Sequence, residues 1–214
     1  DVPVKVEASC RKSRIYHAGA AAQRIARALE EEFGATIADD APIVIKARIE
    51  DDLCTISIDT SGEGLHKRGH KQAVNKAPMR ETLAAMFLRQ CGYNGTEPVL
   101  DPMCGSGTFV IEAAEIATGL MPGRARSFAF EELAGFSASA WAQMKDAQKL
   151  KTSALKFYGS DRDAGAIRMS RENAKRAGVA ALCSFEQGTI SDLQRPEGEP
   201  GIVIINPPYG ARIG

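Results

Sequence analysis

A ten-residue stretch, Val99-Leu100-Asp101-Pro102-Met103-Cys104-Gly105-Ser106-Gly107-Thr108, constrains this chain more than any other feature. A short apolar run ends in an acid, breaks into a Gly-x-Gly turn, and opens an apolar-periodic segment from Phe109 to Ala117. The pattern predicts strand, tight loop and helix, with the loop where a nucleotide-like cofactor lies in doubly wound α/β folds. Gly105 and Gly107 tolerate left-handed dihedrals and are expected to leave no Cβ between backbone and ligand. A dinucleotide fingerprint requires a third glycine where Val110 stands, and a P-loop requires Gly-Lys-Ser/Thr, which is absent. The loop therefore disfavours NAD and nucleoside triphosphates.

A second motif lies about a hundred residues on. Ile202-Val203-Ile204-Ile205 reads as a buried strand and runs into Asn206-Pro207-Pro208-Tyr209. The pair of motifs resembles the S-adenosylmethionine-dependent methyltransferases that modify exocyclic amino groups of nucleobases. Transfer of a methyl group from a sulfonium to an amine is an in-line displacement, and the reagent carries its own activation. The protein has to align the reacting atoms and keep the amine lone pair available. The Asn206 side-chain oxygen and the Pro207 carbonyl suit the two N–H bonds of such an amine. Prolines at 207 and 208 fix φ and bring no competing N–H, and Tyr209 suits stacking on an extruded base.

Composition bounds the remainder. With 44% apolar and 25% charged residues and a net charge of zero, the chain reads as a globular protein whose nucleic-acid contacts must be local. Five scattered cysteines (Cys10, Cys54, Cys91, Cys104 and Cys183) form no Cys-x-x-Cys pair, and the histidines His17, His66 and His70 lack metal-ligand spacing. These point to a reduced, cytoplasmic protein without a metal. Neither a signal peptide nor a membrane-length apolar run is evident. Cys104 reads as a packing residue, because no base lies near it in sequence.

Along the chain, Val2 to Ala8, Ile43 to Ile49 and Leu53 to Ile58 predict half-buried strands, the last two forming a hairpin around Glu50-Asp51-Asp52. Ala20 to Phe33 predicts an amphipathic helix with Ile25, Leu29 and Phe33 on its apolar face. Residues 62–80 are the most basic stretch, with Lys67, Arg68, Lys71, Lys76 and Arg80 against Glu63. Charge alone leaves a solvated linker and a phosphate-contacting surface equally open. A helix follows from Met79 to Gln90, with Pro78 at its entry. An insertion spans Leu120 to Lys151. Strands at Leu155 to Tyr158 and Leu182 to Glu186 then flank a helix from Asp163 to Ala177 that Gly178 stops. Asp161 occupies the place of a ribose-binding acid, with a helix N-cap as the alternative. Asp101 suits either the cofactor's amino-acid end or ordering of the loop.

From about Gly62 onward the chain resembles the THUMP-containing RNA methyltransferases. The resemblance is carried by Leu65 to Lys71, Ala77 to Ala85, Asp101 to Phe109, the segment around Phe128-Ala129-Phe130-Glu131, and Asn206 to Gly210. Residues 1–60 resemble the carboxyl-terminal part of the THUMP domain. The resemblance implies a doubly wound Rossmann-like α/β methyltransferase sheet, cut after its fourth strand, preceded by a partial α+β THUMP-like module. The implied divisions are residues 1–61, a basic linker and leading helix at 62–96, and the catalytic domain at 97–214. It further implies S-adenosylmethionine bound by Pro78, Met79, Thr82, Asp101, Pro102, Cys104, Gly105, Ser106, Gly107, Asp161, Arg162, Thr189 and Ile190. Asn206, Pro207, Pro208 and Tyr209 would then be catalytic, with Lys67, Arg68 and Lys71 on RNA. Guanine N2 of large-subunit rRNA is the implied target. Guanine N2 of tRNA, adenine N6 of DNA or RNA, and an inactive cofactor- or RNA-binding fragment stay open as alternatives. The oligomeric state cannot be read. In one respect the chain departs from the family: Gln187-Gly188 is followed by Thr189 where an Asp is usual, and Asp192 stands three residues further on.

Overall fold

The computed structural model describes residues 2–72, 78–147 and 150–207, which fall into two compact units. One comprises Asp1–Gly64 with Ser127–Gln143; the other comprises Leu65–Arg126 with Met144–Gly214. The middle of the insertion thus belongs with the amino-terminal residues, and most of the basic linker belongs with the cofactor-loop unit.

In the first unit, strands β1 (Val4–Arg11), β2 (Ile43–Glu50) and β3 (Leu53–Asp59) form a sheet in that order. β1 and β2 run parallel across helix α1 (Ala18–Phe33), and β2 and β3 form the expected hairpin. Asp51 and Asp52 both take positive φ, the backbone twist that a two-residue hairpin turn demands. His17 caps α1, its Nδ1 accepting from Ala20 N at 3.0 Å, and Gly34 ends the helix in the left-handed region. Phe33, expected on the apolar face, is exposed at the helix end. The insertion contributes an aromatic cluster: Phe128 stacks on Phe130 with 5.4 Å between ring centroids, and Trp141, on α4 (Ala138–Asp146), stands edge-on to both. The Phe130 N–H donates to Thr60 O, fastening this segment to the end of the sheet.

The second unit is the doubly wound one. Its sheet runs β6 (Cys183–Gln187), β5 (Phe157–Asp161), β4 (Val99–Asp101), β7 (Ile202–Val203), all parallel. Helices α2 (Glu81–Gln90), α3 (Thr108–Thr118) and α5 (Ala164–Ala177) precede or connect the strands. The chain winds from β4 outward through β5 to β6, then returns to the other side of β4 as β7. The order reverses at β4, so the switch point, where open α/β sheets bind ligands, lies at the carboxyl ends of β4 and β7. The core around α3 contains Val99, Val110, Ala113, Ala114, Leu88 and Phe157, all essentially inaccessible. Burial of α3 extends even to its acids Glu112 and Glu115.

Those two acids account for much of the basic linker. A buried carboxylate without a counter-charge costs several kcal/mol; the linker supplies a cation to one and the insertion to the other. Arg68 Nε lies 3.0 Å from Glu112 Oε1, with both side chains at 4% exposure or less. The N–H is not aimed at that oxygen, so the contact is an ion pair rather than a directed hydrogen bond. Arg124 binds Glu115 at 2.5 Å and also donates to Ala177 O. His70 sits buried beside them, 3.9 Å from Glu115. Burial, then the surrounding Arg124, Arg68, Lys71 and Arg176, push its imidazole down to about 4, so it is neutral near pH 7 and forms no ion pair.

Candidate active site

The loop after β4 is shaped by hydrogen bonds on both flanks. Asp161, ending β5, accepts from Gly105 N at 2.9 Å through one carboxylate oxygen and from Asp163 N at 3.0 Å through the other. The cap of α5 is Asp163, whose Oδ1 accepts from Gly165 N at 2.7 Å. Asp161 is therefore no N-cap; it ties the β5 end to the glycine turn. Cys104 N donates to Ser160 O, and Gly107 N closes the turn on Cys104 O at 2.8 Å. The Cys104 thiol is buried and pushed up to about 12, chiefly by desolvation, which leaves it a packing group.

The two glycines differ. At Gly105 (φ +53°), among the described residues, no atom beyond its chain neighbours lies within 4 Å of where a Cβ would sit. At Gly107 (φ +81°) a Cβ would stand 3.0 Å from Ser170 Cβ and 3.1 Å from the Phe185 ring. Gly107 is glycine because α5 and β6 press on it, which corrects the expectation that its missing side chain clears a ligand.

Asp101, at the end of β4, is 2% exposed and accepts from Met103 N at 3.0 Å. Burial pushes its carboxyl up to about 7; the Met103 N–H opposes the shift and the Asp161 charge adds to it. Pro102 is buried beside it, and Ser160 Oγ lies 3.4 Å from its carbonyl oxygen. At β6, Thr189 and Ile190 are exposed, and Thr189 Oγ1 donates to Asp192 Oδ2 at 2.6 Å. The threonine that replaces the usual acid thus holds the nearby Asp192. Gly188 N donates to Asp161 O, bringing the β6 end against the β5 end, and Arg162 is exposed between them.

The β4–β7 register pairs Val99 with Ile202 and Leu100 with Val203, and Ile204 N donates to Leu100 O. Asn206 and Pro207 are exposed and leave the sheet at the same edge as Asp101 and the glycine turn. Residues a hundred positions apart in sequence thereby become neighbours at the switch point. Pro208 and Tyr209 lie outside the described residues.

At the entry of α2, Pro78 and Thr82 are exposed and Met79 is half-buried. Lys71 Nζ donates to Met79 O and, at 2.9 Å, to Thr108 Oγ1, and stands 3.8 Å from Glu81. It binds the entry of α2 to the first residue after the glycine turn. This corrects the placement of Arg68 and Lys71 on RNA: Arg68 is buried against Glu112, and Lys71 is engaged by Met79 O, Thr108 and Glu81. Lys67 alone of the three is exposed.

Sequence reasoning missed Ser170, Asn173 and Arg176. Ser170 Oγ lies 2.8 Å from Gly105 O and 3.0 Å from Ala166 O and shares its one proton between them, and Asn173 Nδ2 donates to Ser106 O at 3.1 Å. Arg176 donates to Asn173 Oδ1 at 2.6 Å and to His70 O at 2.8 Å. The signal was readable, because Ser170 and Asn173 fall on the helical stripe of Ala166, Ile167, Ala174 and Ala177. Polar residues on a buried face need partners.

A parallel sheet with a glycine turn at its switch point, flanked by strand-end acids and an Asn-Pro at the neighbouring strand, defines an α/β methyltransferase domain. Residues 68–214 match the family model UPF0020, the RMKL-like methyltransferase domain, and the chain belongs to that family. It is 41% identical over 180 residues to the ribosomal RNA large subunit methyltransferase K/L of Vibrio campbellii, aligning 80% of this chain with 26% of that protein. The chain thus spans about a quarter of the length of the curated relatives it matches. A Listeria monocytogenes protein described as a predicted N6-adenine-specific DNA methylase superposes with a TM-score of 0.87 at 32% identity, covering all of this chain and 58% of that one. SMU.472, assigned as a methyltransferase and solved in complex with SAH, superposes with a TM-score of 0.81 at 28% identity, over 100% and 59% of the two chains.

Proposed function

We propose that this chain binds S-adenosylmethionine at the Asp101–Thr108 turn and takes part in methylating an exocyclic base amine of RNA, with guanine N2 of large-subunit rRNA as the target. The observation that carries the reading is the convergence of the glycine turn, Asp101, Asp161 and Asn206-Pro207 on one edge of the sheet. The residues fit the cofactor: the uncrowded face of Gly105 admits a ligand close to the backbone. Asp101 suits an ammonium at the amino-acid end, and Asp161 retains acceptor capacity for ribose hydroxyls beyond its two backbone donors. Pro78, Met79 and Thr82 on one flank, and Arg162, Thr189 and Ile190 on the other, complete the proposed rim. When bound, the sulfonium supplies an electrophilic methyl group with its own leaving group. Asn206 and the Pro207 carbonyl accept the amine's two N–H bonds and orient its lone pair. Among the described residues no helix is long and apolar enough to cross a membrane and no metal-ligating cluster occurs. Neither finding conflicts with an RNA substrate in the cytoplasm.

The name of the Vibrio relative supports rRNA, and the exposed Lys67 and the THUMP-like amino-terminal unit are the proposed RNA contacts. The label of the Listeria relative favours adenine N6 instead. Nucleoside mass spectrometry of unmodified rRNA incubated with the protein in its full natural length and S-adenosylmethionine separates the two. N2-methylguanosine is the expected product; N6-methyladenosine, or methylation of DNA alone, overturns the guanine reading.

A further inference from the structure

The glycine turn has a support that the cofactor reading does not use. Its carbonyls face α5, where Ser170 shares its proton between Gly105 O and Ala166 O, and Asn173 donates to Ser106 O. Both side chains are fully buried. A side-chain amide can present either its oxygen or its NH2 to a given partner. Here the neighbours settle it. Arg176 has only donors and lies 2.6 Å from one end of the Asn173 amide, so that end is oxygen. The other end faces the Ser106 carbonyl, which only accepts, so that end is NH2. Arg176 is held in turn by His70 O on the linker.

From this geometry we infer that Ser170 and Asn173, the latter oriented by Arg176, are positioning residues that set the peptide planes of the Gly105–Ser106–Gly107 turn and thereby the affinity for the cofactor. The inference rests on the reading of that turn as the S-adenosylmethionine site. A trans peptide carries its N–H opposite its C=O. Drawing the Gly105 carbonyl toward α5 turns the Ser106 N–H to the other side, away from the helix. Drawing the Ser106 carbonyl the same way keeps the Gly107 N–H inside the turn, on Cys104 O. Released from α5, both planes could rotate, and among the described residues nothing beyond its chain neighbours crowds the missing Cβ of Gly105.

Asn173→Asp is the informative variant. It is isosteric and keeps an oxygen for Arg176, but it turns a carboxylate oxygen toward the Ser106 carbonyl in place of the donor. Calorimetric titration with S-adenosylhomocysteine should show Kd raised about tenfold or more, the factor that follows from losing about 1.4 kcal/mol. The fitted number of sites should stay near that of the wild type. A merely structural role predicts the reverse: a lower cofactor-free unfolding temperature and fewer competent sites, with Kd unchanged in the molecules that remain folded. Arg176→Ala, which frees the amide to flip, should raise Kd in the same direction by less. Lys175→Ala, on the exposed face of the same helix, should leave Kd unaltered. Wild-type Kd in folded Asn173→Asp overturns the inference while leaving the cofactor site standing. If Asn173→Asp does not fold, wild-type Kd in Arg176→Ala overturns it. Absence of binding by the wild type overturns the cofactor reading, and this inference with it.

Discussion

Gly105 and Gly107 stand two residues apart in one turn, yet their missing side chains face opposite environments. A Cβ on Gly105 would meet nothing within 4 Å among the described residues beyond its chain neighbours, whereas one on Gly107 would press on Ser170 and Phe185 at 3.0–3.1 Å. Substitution at the two positions should therefore separate binding from stability. Gly105→Ala should fold, at a cost of about 1–2 kcal/mol for its positive φ, and should lose cofactor affinity. Gly107→Ala adds overpacking of about 1–3 kcal/mol to the same strain. Its unfolding temperature should fall by roughly 4–20 °C, at about 2–4 °C per kcal/mol. Thermal melts beside cofactor titrations check both, and a Gly105→Ala protein with wild-type affinity would remove that face from the site.

Asp101 gives the site a pH dependence. Its carboxyl is raised to about 7 in the folded protein, from 3.8. The folded state holds this proton more tightly, so the group's contribution to stability declines as pH rises from about 4 to about 7. Above that window the buried charge costs on the order of 4 kcal/mol. Asp101→Asn should consequently melt several degrees higher than wild type at pH 8, with the advantage vanishing near pH 4. Cofactor affinity should run the other way in the wild type, weakening as pH falls below about 7, where the carboxylate that would receive an ammonium is neutralised. A variant no more stable than wild type at pH 8 would contradict this account of the buried acid.

The Arg68–Glu112 pair sits at 4% and 3% side-chain exposure. Burial, opposed by Arg68, raises the Glu112 carboxyl to about 8. Above that pH Arg68→Ala leaves a buried carboxylate without its partner, at about 3–5 kcal/mol, and the unfolding temperature measured there should drop by on the order of 10 °C. Lys67→Ala, one residue away and exposed, should shift the melt far less than Arg68→Ala and weaken RNA binding. Its salt slope of log K should flatten by roughly 0.7–0.9 if that ammonium meets a phosphate. An Arg68→Ala protein of wild-type stability above about pH 8 would refute the buried-pair assignment.

Asn206→Ala removes an acceptor for the amine and little of the surface proposed to meet the cofactor. With the protein in its full natural length, cofactor Kd should hold while the methylation rate falls by about 10²–10³. Near-normal single-turnover rates would remove Asn206 from the chemistry.

The local elements were legible in the sequence because local rules fix them. The Asp-Pro-Met-Cys-Gly-Ser-Gly turn opening α3 follows from short-range sterics and periodicity, as does the Asp51-Asp52 hairpin. The same holds for α5 and its stop at Gly178. That the turn and Asn206-Pro207 belong together was implied only by resemblance, and the β4–β7 pairing is what brings them to one end of the sheet. What tertiary structure alone decided is where side chains point once the elements pack. Sequence marks residues 67, 68 and 71 as three similar cations; the burial of Glu112 and Glu81 turns two of them inward. Sequence marks Gly105 and Gly107 as equivalent; the approach of α5 makes one a packing glycine and leaves the other uncrowded among the described residues. It also leaves Asp161 poised between cap and ligand, until the turn of chain into α5 hands the cap to Asp163 and the carboxylate to Gly105 N. Each of these outcomes depends on contacts across tens of residues. Desolvation and close packing act on the neighbours that folding supplies, and neither is encoded in the spacing of residues along the chain.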